Sequence, residues 1–234
     1  MKHSLKKKYG RNLRKKEHKT LYQLLKKFSY LLSAYNQNPK HDIAYWYGER
    51  PLNGLLATAA WKLKSGWSLE EFKAYRRKRK GEKKTPGRGD LWLGVSDKKN
   101  ECFTIEAKVW EPESFDDESK VIEGTEKRIG SALKQLSQIR ARSYRVGRPA
   151  AVCYVAPCLK KSGMAQRLGQ ITKLFRDVVR ALAADKRTVV ASFWYDSRKS
   201  MPTYQRHTGK KVYYCYPGLI VAIRFMQGWP RLKK

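Results

Sequence analysis

Around residue 100 the chain alternates between apolar and polar positions. In Glu101-Cys102-Phe103-Thr104-Ile105-Glu106-Ala107-Lys108-Val109-Trp110, the residues Phe103, Ile105, Ala107 and Val109 are apolar, with Thr104, Glu106 and Lys108 between them. This is the two-residue period of a half-buried strand. Upstream, Leu91, Leu93 and Val95 repeat the pattern with Asp90 on the opposite side, and Ser96-Asp97-Lys98-Lys99-Asn100 is polar turn material. The two runs predict a β-hairpin. A turn centred on Lys98 sets Leu91 opposite Ile105, Leu93 opposite Phe103 and Asp90 opposite Glu106. A slip of one residue would undo that register.

Helical spacing dominates elsewhere. Leu52, Leu55, Leu56, Ala59, Ala60 and Leu63 predict an amphipathic helix from Pro51 to about Lys64, with proline in its first turn. Ser68 with Glu71 reads as a capping box opening another helix, which runs into a basic block. Ile129, Leu133, Leu136 and Ile139 or Arg140 line one face of a helix from Lys127 to about Ser143, and Lys127, Lys134, Gln135, Gln138, Arg142 and Arg145 lie on the other. Pro149 to Val155 is a buried-strand run. A helix from Gly163 to Ala184 carries Met164, Leu168, Ile171, Phe175, Val178 and Leu182, and strands follow at 188–195 and near 219–225. Helix, hairpin, helix, strand, helix, strand predicts an α/β fold.

Charge changes the picture from any folded domain to one that meets a polyanion. The 234 residues hold 52 Lys and Arg against 20 Asp and Glu, a net charge of +32. Counterion release makes binding of such a surface to nucleic acid strongly salt-dependent. Apolar residues make up 41 % and are periodic, so the body is folded rather than a disordered basic tail. Residues 1–20 contain nine Lys and Arg against Glu17 and read as a basic flexible arm, followed by a single domain over 21–234. Within it, a basic insertion at 68–88 carries Arg76, Arg77, Lys78, Arg79, Lys80, Lys83 and Lys84, placed just before Asp90 to hold a phosphate backbone. Segment 111–126 reads as an acidic loop, with Glu111, Glu113, Asp116, Asp117, Glu118, Glu123 and Glu126. No apolar run reaches the length of a membrane span and no signal-peptide core opens the chain, so the expectation is a cytoplasmic protein (nucleoid-associated if bacterial) without a membrane partner. Cys102, Cys153, Cys158 and Cys215 form no C-x-x-C pair and the histidines are scattered, which argues against zinc and for buried thiols in a reducing compartment.

The hairpin carries the chemistry. Directly opposed residues have Cβ atoms roughly 4.5–5.5 Å apart, where like charges repel. Two acids placed there call for a cation, and hard oxygen ligands suit Mg²⁺ or Mn²⁺. Lys108 lies two residues further along the same face.

Asp90 followed after fifteen residues by Glu106-Ala107-Lys108 resembles the PD-(D/E)XK signature of the restriction-endonuclease-like nuclease superfamily, with Gly89 where the proline stands. The resemblance implies a restriction-endonuclease-like core over about 45–195, a mixed β-sheet flanked by helices. It implies that Asp90 and Glu106 bind Mg²⁺ or Mn²⁺, that the backbone carbonyl of Ala107 adds a ligand, and that Lys108 positions or activates the attacking water. Glu49, three residues before Leu52, matches the third carboxylate that many members place on the preceding helix. An acid in a first turn is also favoured by the helix dipole alone. Some members carry Gln-x-x-x-Tyr on the helix after the motif; here the nearest tyrosine to Gln135 and Gln138 is Tyr144, so that subgroup is not supported. The expected function is a metal-dependent nuclease, a DNA endonuclease before an RNA one, with Lys134 and Gln135 joining the basic block in nucleic-acid binding. Trp92 and Trp110 are candidates for base stacking. Cutting both strands of a duplex takes two sites, which points to a homodimer. The rival reading is a non-catalytic basic nucleic-acid-binding protein, architectural or ribosome-associated, in which Asp90 and Glu106 are surface acids.

Overall fold

A computed structural model describes residues 6–15, 18–36, 44, 48–75, 86–96, 101–112, 117–139, 147–160, 164–195, 201, 203–208 and 210–227. The elements are β1 (Lys6–Tyr9), a 3-10 turn (Arg11–Arg14), α1 (Lys19–Asn36), α2 (Glu49–Trp61), β2 (Trp67–Tyr75), β3 (Pro86–Gly94), β4 (Cys102–Trp110), α3 (Glu118–Gln138), β5 (Arg148–Val155), β6 (Leu159–Lys160), α4 (Met164–Leu182), β7 (Thr188–Trp194), β8 (Thr203–Thr208), β9 (Lys210–Cys215) and β10 (Gly218–Phe225). Seven strands form one mixed sheet in the order β1-β7-β10-β5-β4-β3-β2, and β6, β9 and β8 form a small second sheet. β4 and β5 are parallel, as the crossover through α3 requires. The other neighbours in the large sheet are antiparallel.

Ring contacts assign the layers. Phe193 and Trp194 are consecutive on β7, so they point to opposite faces. Phe28 of α1 meets Phe193 at 6.0 Å and Tyr154 of β5 at 6.4 Å, and α2 bonds the same tyrosine through Asn53. Phe175 of α4 stacks on Trp194 at 5.9 Å, with α3 packed against α4. Helices α1 and α2 therefore cover one face, and α3 and α4 the other. Strands β5, β7 and β10 are sealed between the layers, which is why they read as continuous apolar runs rather than alternating ones. Among the described residues, no helix is long and apolar enough to cross a membrane. All four cysteines are buried, and none of them forms a disulfide.

Three expectations are corrected. The basic arm is built into the fold from Lys6 onward: β1 pairs with β7 from Lys6↔Trp194 to Tyr9↔Ala191. Asn12 then donates through Nδ2 to the carbonyls of Ala183, Asp185 and Thr188 at 2.9, 3.0 and 2.9 Å. The helix expected from Ser68 is instead strand β2; Ser68 is buried and donates to the Ala57 carbonyl of α2 at 3.4 Å instead of capping a turn. The acidic segment is not a loop throughout: residues 113–116 lie outside the described residues, and α3 begins at Glu118. Asp117 caps α3 by accepting from the Lys120 N–H, Glu118 lies in the first turn, where the helix dipole favours acids, and Glu123 and Glu126 lie further along the helix. Strands β1 and β10, outside 45–195, complete the main sheet.

Candidate active site

The hairpin has the register that its alternation predicts. Leu91 pairs with Ile105, Trp92 with Thr104, Leu93 with Phe103 and Gly94 with Cys102. Extended by one residue, that register sets Asp90 opposite Glu106, although the ladder itself stops at Leu91. Asp90 turns its carboxylate onto the backbone there: Oδ2 accepts the Ala107 N–H at 2.7 Å. The pairing of β2 with β3 also skips this position. It runs to Glu70↔Leu91, resumes at Phe72↔Gly89, and leaves out Glu71, whose φ is 47°. The sheet thus opens on both sides of Asp90. Gly89 stands where the resembling motif has proline because the Phe72 ring lies over it; a Cβ there would sit 2.4 Å from the ring.

Glu106 is 4 % exposed, and its Oε1 accepts from Lys108 Nζ at 3.2 Å. Burying a carboxylate costs several kcal/mol unless a partner compensates, and Lys108, with its side chain 24 % exposed, is that partner. Glu49 is the first residue of α2. Gly48 before it has φ 82°, a left-handed conformation that admits the chain into the helix at this angle and that glycine adopts without strain. Burial, and then the negative charge of Asp90, push the Glu49 carboxyl up to about 7; Glu106 adds to the rise, while Lys108 and Arg50 oppose it. The Glu49 carboxyl thus feels the charges of Asp90, Glu106 and Lys108.

Two further residues hold this arrangement. Asn53 lies one turn along α2 from Glu49, and its Oδ1 accepts from the buried Tyr154 hydroxyl at 3.1 Å. Burial, with Glu49 and Asp90 nearby, keeps the Tyr154 phenol well above the ordinary tyrosine range, so it remains a neutral donor. The bond ties α2 to β5 and fixes where Glu49 begins. Its sequence signal is an asparagine inside the apolar stripe of α2.

Other candidates are placed elsewhere. Lys134 and Gln135 lie on α3 about two turns beyond Glu126, the first exposed and the second half-buried, with no contact to the carboxylates shown. Arg76, Arg77, Lys78, Arg79, Lys80, Lys83 and Lys84 lie outside the described residues. Trp92 packs edge-to-face on Trp67 at 4.8 Å and beside Phe72. The Trp110 ring lies against Gly124 of α3 and under the Arg128 guanidinium at 5.4 Å. Both indoles are half-buried and engaged within the fold.

Among the described residues, no group of three or more His, Cys, Asp and Glu side chains is drawn together as a ready metal cage. The donor chemistry nonetheless fits a hard divalent cation: the acids available are carboxylates, and their mutual repulsion, visible at Glu49, is what a cation relieves. The N–H and C=O of one residue in an extended strand point to the same side. The Ala107 carbonyl therefore lies on the side of Asp90, which takes its N–H. The chain matches no protein-family model, no curated protein and no solved structure.

Proposed function

We propose that the chain is a metal-dependent nuclease of the restriction-endonuclease-like type, acting on DNA before RNA. The observation that carries this reading is the nearly buried Glu106, paired with Lys108 beside Asp90, with Glu49 raised by burial and then by the charge of Asp90. Acids within electrostatic range of one another, one of them buried, work against the fold unless something offsets their charge. A divalent cation held by Asp90, Glu106, Glu49 and the Ala107 carbonyl supplies Lewis acidity and lowers the pKa of water. The remaining work belongs to the chain. Lys108, oriented by Glu106, directs its ammonium at the attacking water and offsets charge developing on the phosphate oxygens. Asp90 keeps the Ala107 backbone in place through its second role as acceptor. The net charge of +32 draws in the polyanionic substrate. Hydrolysis leaves a 5′-phosphate if the pattern of the resembling superfamily holds.

The test is cleavage of supercoiled, linear and single-stranded DNA and of structured RNA by wild type and Lys108→Ala, in Mg²⁺, Mn²⁺ or EDTA. The expected result is metal-dependent cleavage that falls by at least about 10²-fold in the variant while binding persists. Salt-dependent binding of every polyanion with no cleavage would instead favour the architectural reading, for which the net charge is the supporting observation.

A further inference from the structure

Far from the carboxylates, the N-terminal segment builds a second charged surface. β1 is the edge strand at the opposite end of the sheet from β2 and β3, and its Lys6, Lys7 and Lys8 are exposed. Beside it is a cavity of about 340 Å³ lined by Tyr9, Leu13, Arg14, Lys15, Lys19 and Tyr22. The two tyrosine rings meet edge-to-face at 4.8 Å and wall one side. Arg14, Lys15 and Lys19 are exposed at its rim.

We propose that β1, the turn Arg11–Arg14 and the start of α1 form an exosite for the sugar–phosphate backbone of a nucleic acid, separate from the carboxylate site. The proposal rests on the nucleic-acid reading above, but not on catalysis. Three observations carry it. Arg14, Lys15 and Lys19 line one concave surface, whereas Lys6 and Lys8 lie on the face of β1 opposite to Lys7. The backbone turn that carries Arg14 and Lys15 is also anchored: Asn12 Nδ2 donates to the carbonyls of Ala183, Asp185 and Thr188, and the Gly10 N–H donates to the Val190 carbonyl at 2.8 Å. Such preorganisation lowers the ordering cost of binding, and a solubilising tail has no use for it. Like charges are also crowded. Burial and the nearby Lys26 ammonium hold Lys7 below the ordinary lysine range, a strain that bound phosphates relieve.

The separation suits one long ligand. Four to five strand spacings of about 4.8 Å lie between β1 and the β4–β3 pair, on the order of 20 Å. That is about six base pairs of duplex at roughly 3.4 Å each. A substrate longer than this reaches both places, and the exosite then adds affinity without touching the reacting phosphate.

The test is binding of a labelled duplex of about 25 base pairs by the full chain in EDTA, across about 50 to 300 mM salt. The triple variant Arg14→Gln/Lys15→Gln/Lys19→Gln is compared with a control that neutralises three exposed cations elsewhere, Lys62→Gln/Lys64→Gln/Lys173→Gln. The exosite variant is expected to bind at least about tenfold more weakly at 100 mM salt, with the log–log salt slope reduced by about 2–3. The control is expected to stay within about threefold of wild type. Equal losses in the two variants, or none in either, would overturn the proposal and leave these charges to solubility or to blunting the sheet edge. Thermal unfolding checks that both variants fold; should the triple fail, Lys15→Gln and Lys19→Gln singly carry the same comparison. Cleavage by wild type in Mn²⁺ separates the two readings. Selective loss of binding with no wild-type cleavage keeps the exosite and removes the nuclease. Wild-type cleavage with exosite and control variants alike does the reverse, and a wild type that binds no nucleic acid removes both.

Discussion

Glu49 holds its proton to near neutrality because it is partly buried beside Asp90 and Glu106. In metal-free protein the folded state, with a carboxyl near 7, keeps a proton that the unfolded chain has already released above about 4.5. Stability therefore falls as pH rises between those values and levels off above them. Glu49→Gln removes that slope. Thermal unfolding in EDTA should show the variant more stable than wild type at pH 8 by about 1–2 kcal/mol, after allowance for solvent screening, and not at pH 4. Saturating Mg²⁺ should stabilise wild type at pH 8 and the variant less; parallel pH profiles for the two proteins would remove Glu49 from the cluster. Gly89 makes a second residue-scale prediction. Gly89→Ala drives a Cβ into the Phe72 ring at 2.4 Å, which should cost about 1–3 kcal/mol and displace Asp90. Adding Phe72→Ala should recover much of the lost cleavage, as a double-mutant cycle would show. Asp90, Glu106 and Lys108 were legible from alternation and spacing alone. Asn53 and Tyr154 were not, because their bond joins positions 101 residues apart.

At the level of elements, legibility tracked how local the signal was. The hairpin, α2 and α4 announce themselves by periodicity and β5, β7 and β10 by continuous apolar runs, and the structure has them near the expected bounds. β2 does not. Ser68-Leu69-Glu70-Glu71 has the local form of a capped helix start, but the edge of β3 and the Ala57 carbonyl of α2 offer better partners. Tertiary pairing overrides a short local preference. The start of α3 was hidden by its acids, which read as loop until Asp117 is seen as a cap. Helix α1 is unanticipated, although Leu21, Leu24, Leu25, Phe28 and Leu32 recur at helical spacing and are buried. The N-terminal turn depends on one side chain. Asn12→Ala removes the two N–H donors that three carbonyls share and leaves buried carbonyls short of a donor, so denaturant unfolding should show a loss of about 2–4 kcal/mol. A change within about 0.5 kcal/mol would mean that the segment is the loose arm its composition suggests.

Across the whole molecule, one sheet joins the N-terminal strand to the chain's last described strand, since β7 lies between β1 and β10. No charge count reveals that, because the residues doing the work (Tyr9, Asn12 and Leu13) sit among cations. Removing residues 1–15 should lower the unfolding temperature of the entire domain in a single transition, rather than only weaken nucleic-acid binding. The same sheet holds the carboxylates near one edge and the basic cavity at the other, so a nucleic acid engaged at both would run across the molecule.

The central claim is that Asp90 and Glu106 face each other for chemistry, not for folding. Asp90→Asn tests it most directly, because an amide oxygen can still accept the Ala107 N–H while the charge is gone. Single-turnover cleavage and binding should be measured together on the preferred nucleic acid. The account predicts at least about a 10²-fold loss of cleavage, with binding equal to or tighter than wild type. Cleavage at the wild-type rate by this variant would contradict it.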